Sequence, residues 1–94
     1  MAGLILKERK QLGEDSFVEF KIYEIPKSPH FPDRVKYSMS FVRNGTCVLR
    51  YDNERGKGHH KHFKEKESKV EFSSIGNLMK QFLVEVKNLR EAEK

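Results

Sequence analysis

Residues 17–25 and 35–42 place an apolar side chain at every second position: Val18, Phe20 and Ile22 in the first run, Val35, Tyr37, Met39 and Phe41 in the second. A period of two belongs to a strand with one face in a core and the other in water. Asn44-Gly45 follows the second run and marks a hairpin. A one-residue slip turns over every side chain of the returning strand, so the loop length can be read from its effect on the core. A two-residue Asn-Gly turn pairs Met39 with Arg50 and Tyr37 with Asp52, which puts charge on the apolar face. A three-residue loop, Arg43-Asn44-Gly45, pairs Phe41 with Cys47, Met39 with Leu49 and Tyr37 with Tyr51, and makes Cys47 a packing residue. That bulged hairpin is the expectation, with Ser38 opposite Arg50 and Lys36 opposite Asp52 on the polar side.

Toward the C-terminus Ile75, Leu78, Met79, Phe82, Leu83, Val86 and Leu89 recur at helical spacing, and Ser73 or Ser74 is a natural N-cap. The tail from Arg90 onward is expected to fray. Prolines 26, 29 and 32 break the chain into an extended loop, residues 69–72 read as a short strand, and residues 64–68 as a charged turn. Residues 3–12 fit either a short strand or an opening helical turn. The fold class that follows is α+β: an antiparallel sheet of four to five strands with one C-terminal amphipathic helix packed on one face, in a single domain spanning 1–94. With 94 residues, 36 % of them hydrophobic and 35 % charged, the chain has apolar material for one thin core and no more. No run approaches a membrane span, the N-terminus lacks a signal peptide's apolar stretch, and the lone Cys47 suits a reducing compartment, so a cytoplasmic location is expected. Lys and Glu dominate the charged residues, a balance that leans toward a thermophilic source. Free edges on so small a sheet leave room for a homodimer.

The candidate chemistry is concentrated in one segment. Net charge is +5, and residues 55–64 carry Arg55, Lys57, Lys61 and Lys64 without an acid, together with His59, His60 and His62. Concentrated cations bind phosphates by counterion release. In an extended backbone His60 and His62 share one face while His59 and Lys61 share the other, so two roles are expected. A pair of imidazoles titrating near neutrality can act as acid and base at a ribose hydroxyl, with Asp52 orienting one ring and Arg50, Arg55, Lys57, Lys61 and Lys64 holding phosphate. The same atoms suit a transition metal, through His60-x-His62 with Asp52 or His59, but no second Cys or His cluster completes a closed zinc site. The metal-free reading is favoured, with no cofactor assigned. The bland alternative is a solvated polar strand end. Gly56-x-Gly58 lacks the strand-to-helix setting of a phosphate loop and serves to turn the chain.

Arg50-Tyr51-Asp52-Asn53, followed by Gly56-Lys57-Gly58-His59-His60-Lys61-His62, resembles the core of a prokaryotic family of small proteins that includes the TumE-type toxins of toxin–antitoxin pairs. Leu4-Ile5-Leu6-Lys7-Glu8-Arg9, Tyr23-Glu24-Ile25-Pro26 and the closing helix extend the likeness over nearly the whole chain. The resemblance implies a small cytoplasmic α+β protein with a helix-turn-helix antitoxin as partner, and marks Asp52, Asn53, His60 and His62 as the family-like residues. Together with the basic segment it leads to the expectation of a toxin-like RNA-interacting protein, a metal-independent ribonuclease using His60, His62 and Asp52. The alternative is a noncatalytic module that binds nucleic acid or a partner protein.

Overall fold

A computed structural model describes residues 3–53 and 57–92. Six strands, β1 (Gly3–Gln11), β2 (Ser16–Glu24), β3 (Val35–Arg43), β4 (Thr46–Asp52), β5 (His60–Phe63) and β6 (Lys66–Lys69), precede one helix, α1 (Ile75–Ala92). The strands lie in the sheet in chain order, each antiparallel to the next. The α+β class with one C-terminal helix stands, and the sheet has six strands rather than four to five. The ambiguous N-terminal stretch is a strand, and the extra strand comes from the charged segment after β5. Lys64 and Glu65 alone make that turn, Lys64 with a left-handed φ of 57°. Lys66 to Lys69 then pair with β5, while residues 70–72 lie beyond the ladder instead of forming the expected strand. An exposed edge strand rich in Lys resists pairing with other chains.

The β3–β4 hairpin corrects the expected register. Asn44 and Gly45, both with positive φ (52° and 76°), form a two-residue turn that pairs Arg43 with Thr46 and Val42 with Cys47. The next pair is Phe41 with Leu49, so Val48 is an extra residue in β4. This bulge turns the rest of β4 over. Leu49 and Tyr51 face the core opposite Phe41 and Met39, while Arg50 and Asp52 face outward opposite Ser40 and Ser38. The objection to a two-residue turn, charge in the core, is met one residue later by the bulge. Cys47 lies before it and is exposed, so it does not pack in the core.

The helix covers the face carrying Val18, Phe20, Ile22, Tyr37, Met39 and Phe41. Ser74 caps it: its Oγ accepts the Asn77 N–H at 3.1 Å. Phe82 is fully buried and meets Phe20 and Tyr51 edge-on, with ring centroids 5.7 and 5.2 Å away, an arrangement that adds to simple area burial. Leu78 and Val86 complete the buried stripe, but Leu83, 44 % exposed, falls outside it. The expected fraying from Arg90 is corrected for residues 90–92, and residues 93–94 lie outside the described residues. Residues 90–92 are helical, and Arg90 Nη2 donates to the Leu12 carbonyl at 3.0 Å, tying the helix end to the β1–β2 turn. Phe82→Ala is expected to cost about 3–5 kcal/mol in urea unfolding, and Leu83→Ala under about 1 kcal/mol; equal losses would contradict this helix orientation.

Candidate functional site

The face of the sheet opposite α1 is polar, and the register of β4, β5 and β6 assembles a cluster on it. Asp52 pairs with His60 and Arg50 with His62, and His62 in turn lies opposite Glu67 of β6. Asp52 Oδ1 is 2.7 Å from His60 Nε2 and 3.8 Å from His62 Nε2, while Arg50 Nε is 3.0 Å from the other oxygen, Oδ2. Glu67 Oε1 lies 3.4 Å from His60 Nε2. The rings of His60 and His62 meet edge-on at 4.8 Å. Although no helix lies on this face among the described residues, the crowding leaves His60 only 2 % and Asp52 only 7 % exposed. His60 Nδ1 faces the Gly58 carbonyl at 2.9 Å. A carbonyl only accepts, so Nδ1 carries the hydrogen and, in the neutral ring, Nε2 carries a lone pair. Asp52 therefore meets the Nε2 end of His60.

His59 takes the other role that the alternation predicts. It stacks on Phe72 with ring centroids 4.3 Å apart, its Nε2 is 2.7 Å from Asp33 Oδ2, and its Nδ1 is 3.0 Å from the Tyr37 hydroxyl. With Asp33 as acceptor, His59 Nε2–H donates to it and Nδ1 accepts from Tyr37 O–H, so both ring nitrogens are used. Asn53 is also structural. Its Oδ1 accepts the Tyr37 N–H at 2.9 Å and its Nδ2 donates to the Val35 carbonyl at 2.7 Å, extending the β3–β4 ladder one step with a side chain.

The basic residues do not all gather at the cluster. Arg50 does, and Lys57 reaches it through Glu67, 3.8 Å away. Lys61 is on the helix side, 2.9 Å from Glu85, which also accepts the Tyr51 hydroxyl. Lys64 sits at the β5–β6 turn, its Nζ 5.4 Å from the Phe63 ring centroid. Arg55 lies outside the described residues. Sequence reasoning missed Glu67, because its position depends on the unexpected β6. It missed Asp33 because no periodicity runs through the proline loop.

The family model described as Toxin TumE matches residues 3–90, from the first residue of β1 nearly to the end of α1. The chain belongs to the TumE toxin family. Membership in a toxin family implies an antitoxin partner. No curated protein and no solved structure matches the chain. No described helix of this TumE-family chain is long and apolar enough to cross a membrane.

Burial pushes the hydroxyls of Tyr37 and Tyr51 to ionise well above the usual tyrosine range, with Asp52 and Asp33 adding to the effect on Tyr37 and the Glu85 hydrogen bond to that on Tyr51. The folded state thus holds protons that the unfolded chain releases above about pH 10. Stability is unaffected below that pH and falls as pH rises through it. In an alkaline titration followed by tyrosinate absorbance, ionisation of these two hydroxyls is expected to coincide with loss of the folded circular dichroism signal. Their ionisation in a fully folded chain would contradict the burial argument.

Proposed function

We propose that this TumE-family toxin acts on RNA by cleaving it, and that Asp52, His60 and His62 form the reaction centre on the uncovered face of the sheet. The observation that carries this reading is the register itself: the bulge and the β4–β5 pairing bring one carboxylate and two imidazoles together on the face that α1 leaves open. Cations surround them. Arg50 flanks Asp52, Lys36 and Lys21 share the outer face with Ser38, and Lys69 lies opposite His60. A single strand of RNA laid across β3 to β6 meets these charges on its phosphates, with Arg50 and Lys57 nearest the centre. Lys61 and Lys64, expected as phosphate contacts, fit this path less well than Lys36 and Lys69, because Lys61 pairs with Glu85 on the other face.

Free-imidazole acid–base chemistry asks a titrating nitrogen to face the substrate. The His60 side chain is 3 % exposed, so access narrows to His62, at 27 %. The Nε2 atoms of both rings are buried beside Asp52. The cluster as a unit, more than one independent imidazole, is therefore the reactive group. Acting on cellular RNA places the protein in the cytoplasm, and a helix-turn-helix antitoxin that silences it need only cover this face. Of the two sheet edges, β1 rather than the Lys-rich β6 is where a homodimer would pair.

The test is cleavage of labelled RNA and growth arrest on induction. His62→Ala is expected to reduce both by at least about 100-fold with the fold intact. Unchanged cleavage in both His62→Ala and Asp52→Asn would remove the assignment. Binding of a non-cleavable RNA is expected to weaken with salt with a log–log slope of about −2 to −4, the release expected from a few phosphate contacts on a single strand. Lys36→Ala and Lys69→Ala should each reduce that slope, and a salt-insensitive affinity would count against this face.

A further inference from the structure

The buried atoms at the centre of the cluster lack partners. Asp52 Oδ1, His60 Nε2 and His62 Nε2 are each sealed from solvent without a hydrogen bond. His60 Nε2 lies 2.7 Å from Asp52 Oδ1, yet neither atom has a hydrogen-bond partner. Buried polar atoms are almost always satisfied, and this centre holds four that are not, Arg50 Nε on the Oδ2 side of Asp52 being the fourth, a departure that asks for a cause. His59, with both nitrogens paired, shows that the same segment satisfies an imidazole where it is structural.

We propose that Asp52 Oδ1, His60 Nε2 and His62 Nε2 bind one divalent transition-metal ion, of the zinc, cobalt or nickel type. One ligand atom from each of these three residues lies within 4.8 Å of the other two. Two pairs are 2.7 and 3.8 Å apart, on either side of the roughly 3.3 Å that separates neighbouring ligands around a tetrahedral zinc. A proton can bridge only two of these atoms, and only in line. A metal ion collects all three without collinearity. The tautomer of His60 also fits: a metal-binding histidine typically donates its other N–H to a carbonyl or carboxylate, and here Nδ1–H donates to the Gly58 carbonyl. Gly58 has φ of 73°, a conformation that a side chain would strain. Arg50 occupies Oδ2 and so leaves Oδ1 turned toward the histidines. Two imidazoles and one carboxylate are ligands of borderline hardness, which selects transition ions over magnesium or calcium. Three protein ligands leave coordination positions for water or a phosphate oxygen, the pattern of a catalytic rather than a closed structural site. Glu67, whose Oε1 is 3.4 Å from His60 Nε2, is the residue placed to close or open one of those positions.

The inference rests on the same cluster as the RNA reading and replaces metal-free chemistry with a Lewis acid at that centre, but metal occupancy is measured without RNA. Untagged protein stripped with a chelator is titrated with Zn²⁺, and with Co²⁺ while its visible absorption is followed. One ion per chain is expected, with tetrahedral or five-coordinate cobalt absorption and a raised unfolding temperature. His62→Ala, at the partly exposed ligand, and Asp52→Asn should each weaken binding by at least about 100-fold, whereas His30→Ala, in the loop between β2 and β3, should bind like the parent. Circular dichroism separates lost binding from lost folding, and the partly exposed His62 variant keeps the test open if Asp52→Asn does not fold. Affinity weaker than about 0.1 mM in the parent chain, or stoichiometric binding that survives both ligand variants, would overturn the site. Metal bound through these residues by a chain that leaves RNA intact upholds the metal site and removes the ribonuclease reading. RNA cleavage undiminished in chelator by a chain that binds no metal overturns the metal site and leaves the ribonuclease standing.

Discussion

The single extra residue at Val48 governs the architecture. The Asn44-Gly45 turn by itself would send Arg50 and Asp52 into the core and Leu49 and Tyr51 to the polar face. With the bulge, Leu49 and Tyr51 seal the face under α1, and Arg50 and Asp52 emerge on the other. Burying one charged side chain without a partner costs more than a small domain of this kind has in reserve, so the bulge is a condition of folding. It is equally a condition of the site, because Asp52 meets His60 only in this register.

The same strand pair divides the two halves of the protein by chemistry. On the helix side, each polar group near the core is used: Tyr51 donates to Glu85, Lys61 pairs with Glu85, and Tyr37 joins the His59–Asp33 chain. On the open side, Arg50, Asp52, His60 and His62 keep buried atoms without hydrogen bonds. Satisfied networks specify a fold, and unsatisfied ones cost stability and persist where something else binds them. That contrast, more than the number of histidines, distinguishes His60 and His62 from His59.

Much of this was legible in the sequence. The alternation in residues 17–25 and 35–42 fixes which side chains of β2 and β3 meet the helix, and the separation of His60 and His62 from His59 follows from strand geometry alone. A serine cap at Ser73 or Ser74 and an apolar stripe that includes Phe82 follow from composition and spacing, and the structure selects Ser74 as the cap and buries Phe82 fully. The hairpin was misread because the apolar pattern specifies the outcome, Leu49 and Tyr51 inward, but not the device: a longer loop and a later bulge satisfy it equally until Cys47 is located. Leu83 illustrates the limit of helical spacing, since a stripe seven residues long is wider than the contact a thin sheet offers. Lys66 to Lys69 carry no apolar alternation and pair through backbone alone, so β6 and with it Glu67 left no signal. Asp33 reaches His59 across a proline loop, a long-range contact that spacing cannot encode.

The most direct test of this division is a backbone amide titration by nuclear magnetic resonance with a single-stranded RNA made non-cleavable by 2′-deoxy substitution. The account predicts shifts concentrated at Lys36, Ser38, Arg50, Asp52, His60, His62 and Lys69, with the α1 positions Leu78, Phe82 and Val86 unmoved. Perturbations confined to α1 and the Lys61–Glu85 side would contradict it, and would move the functional surface to the face that the helix occupies.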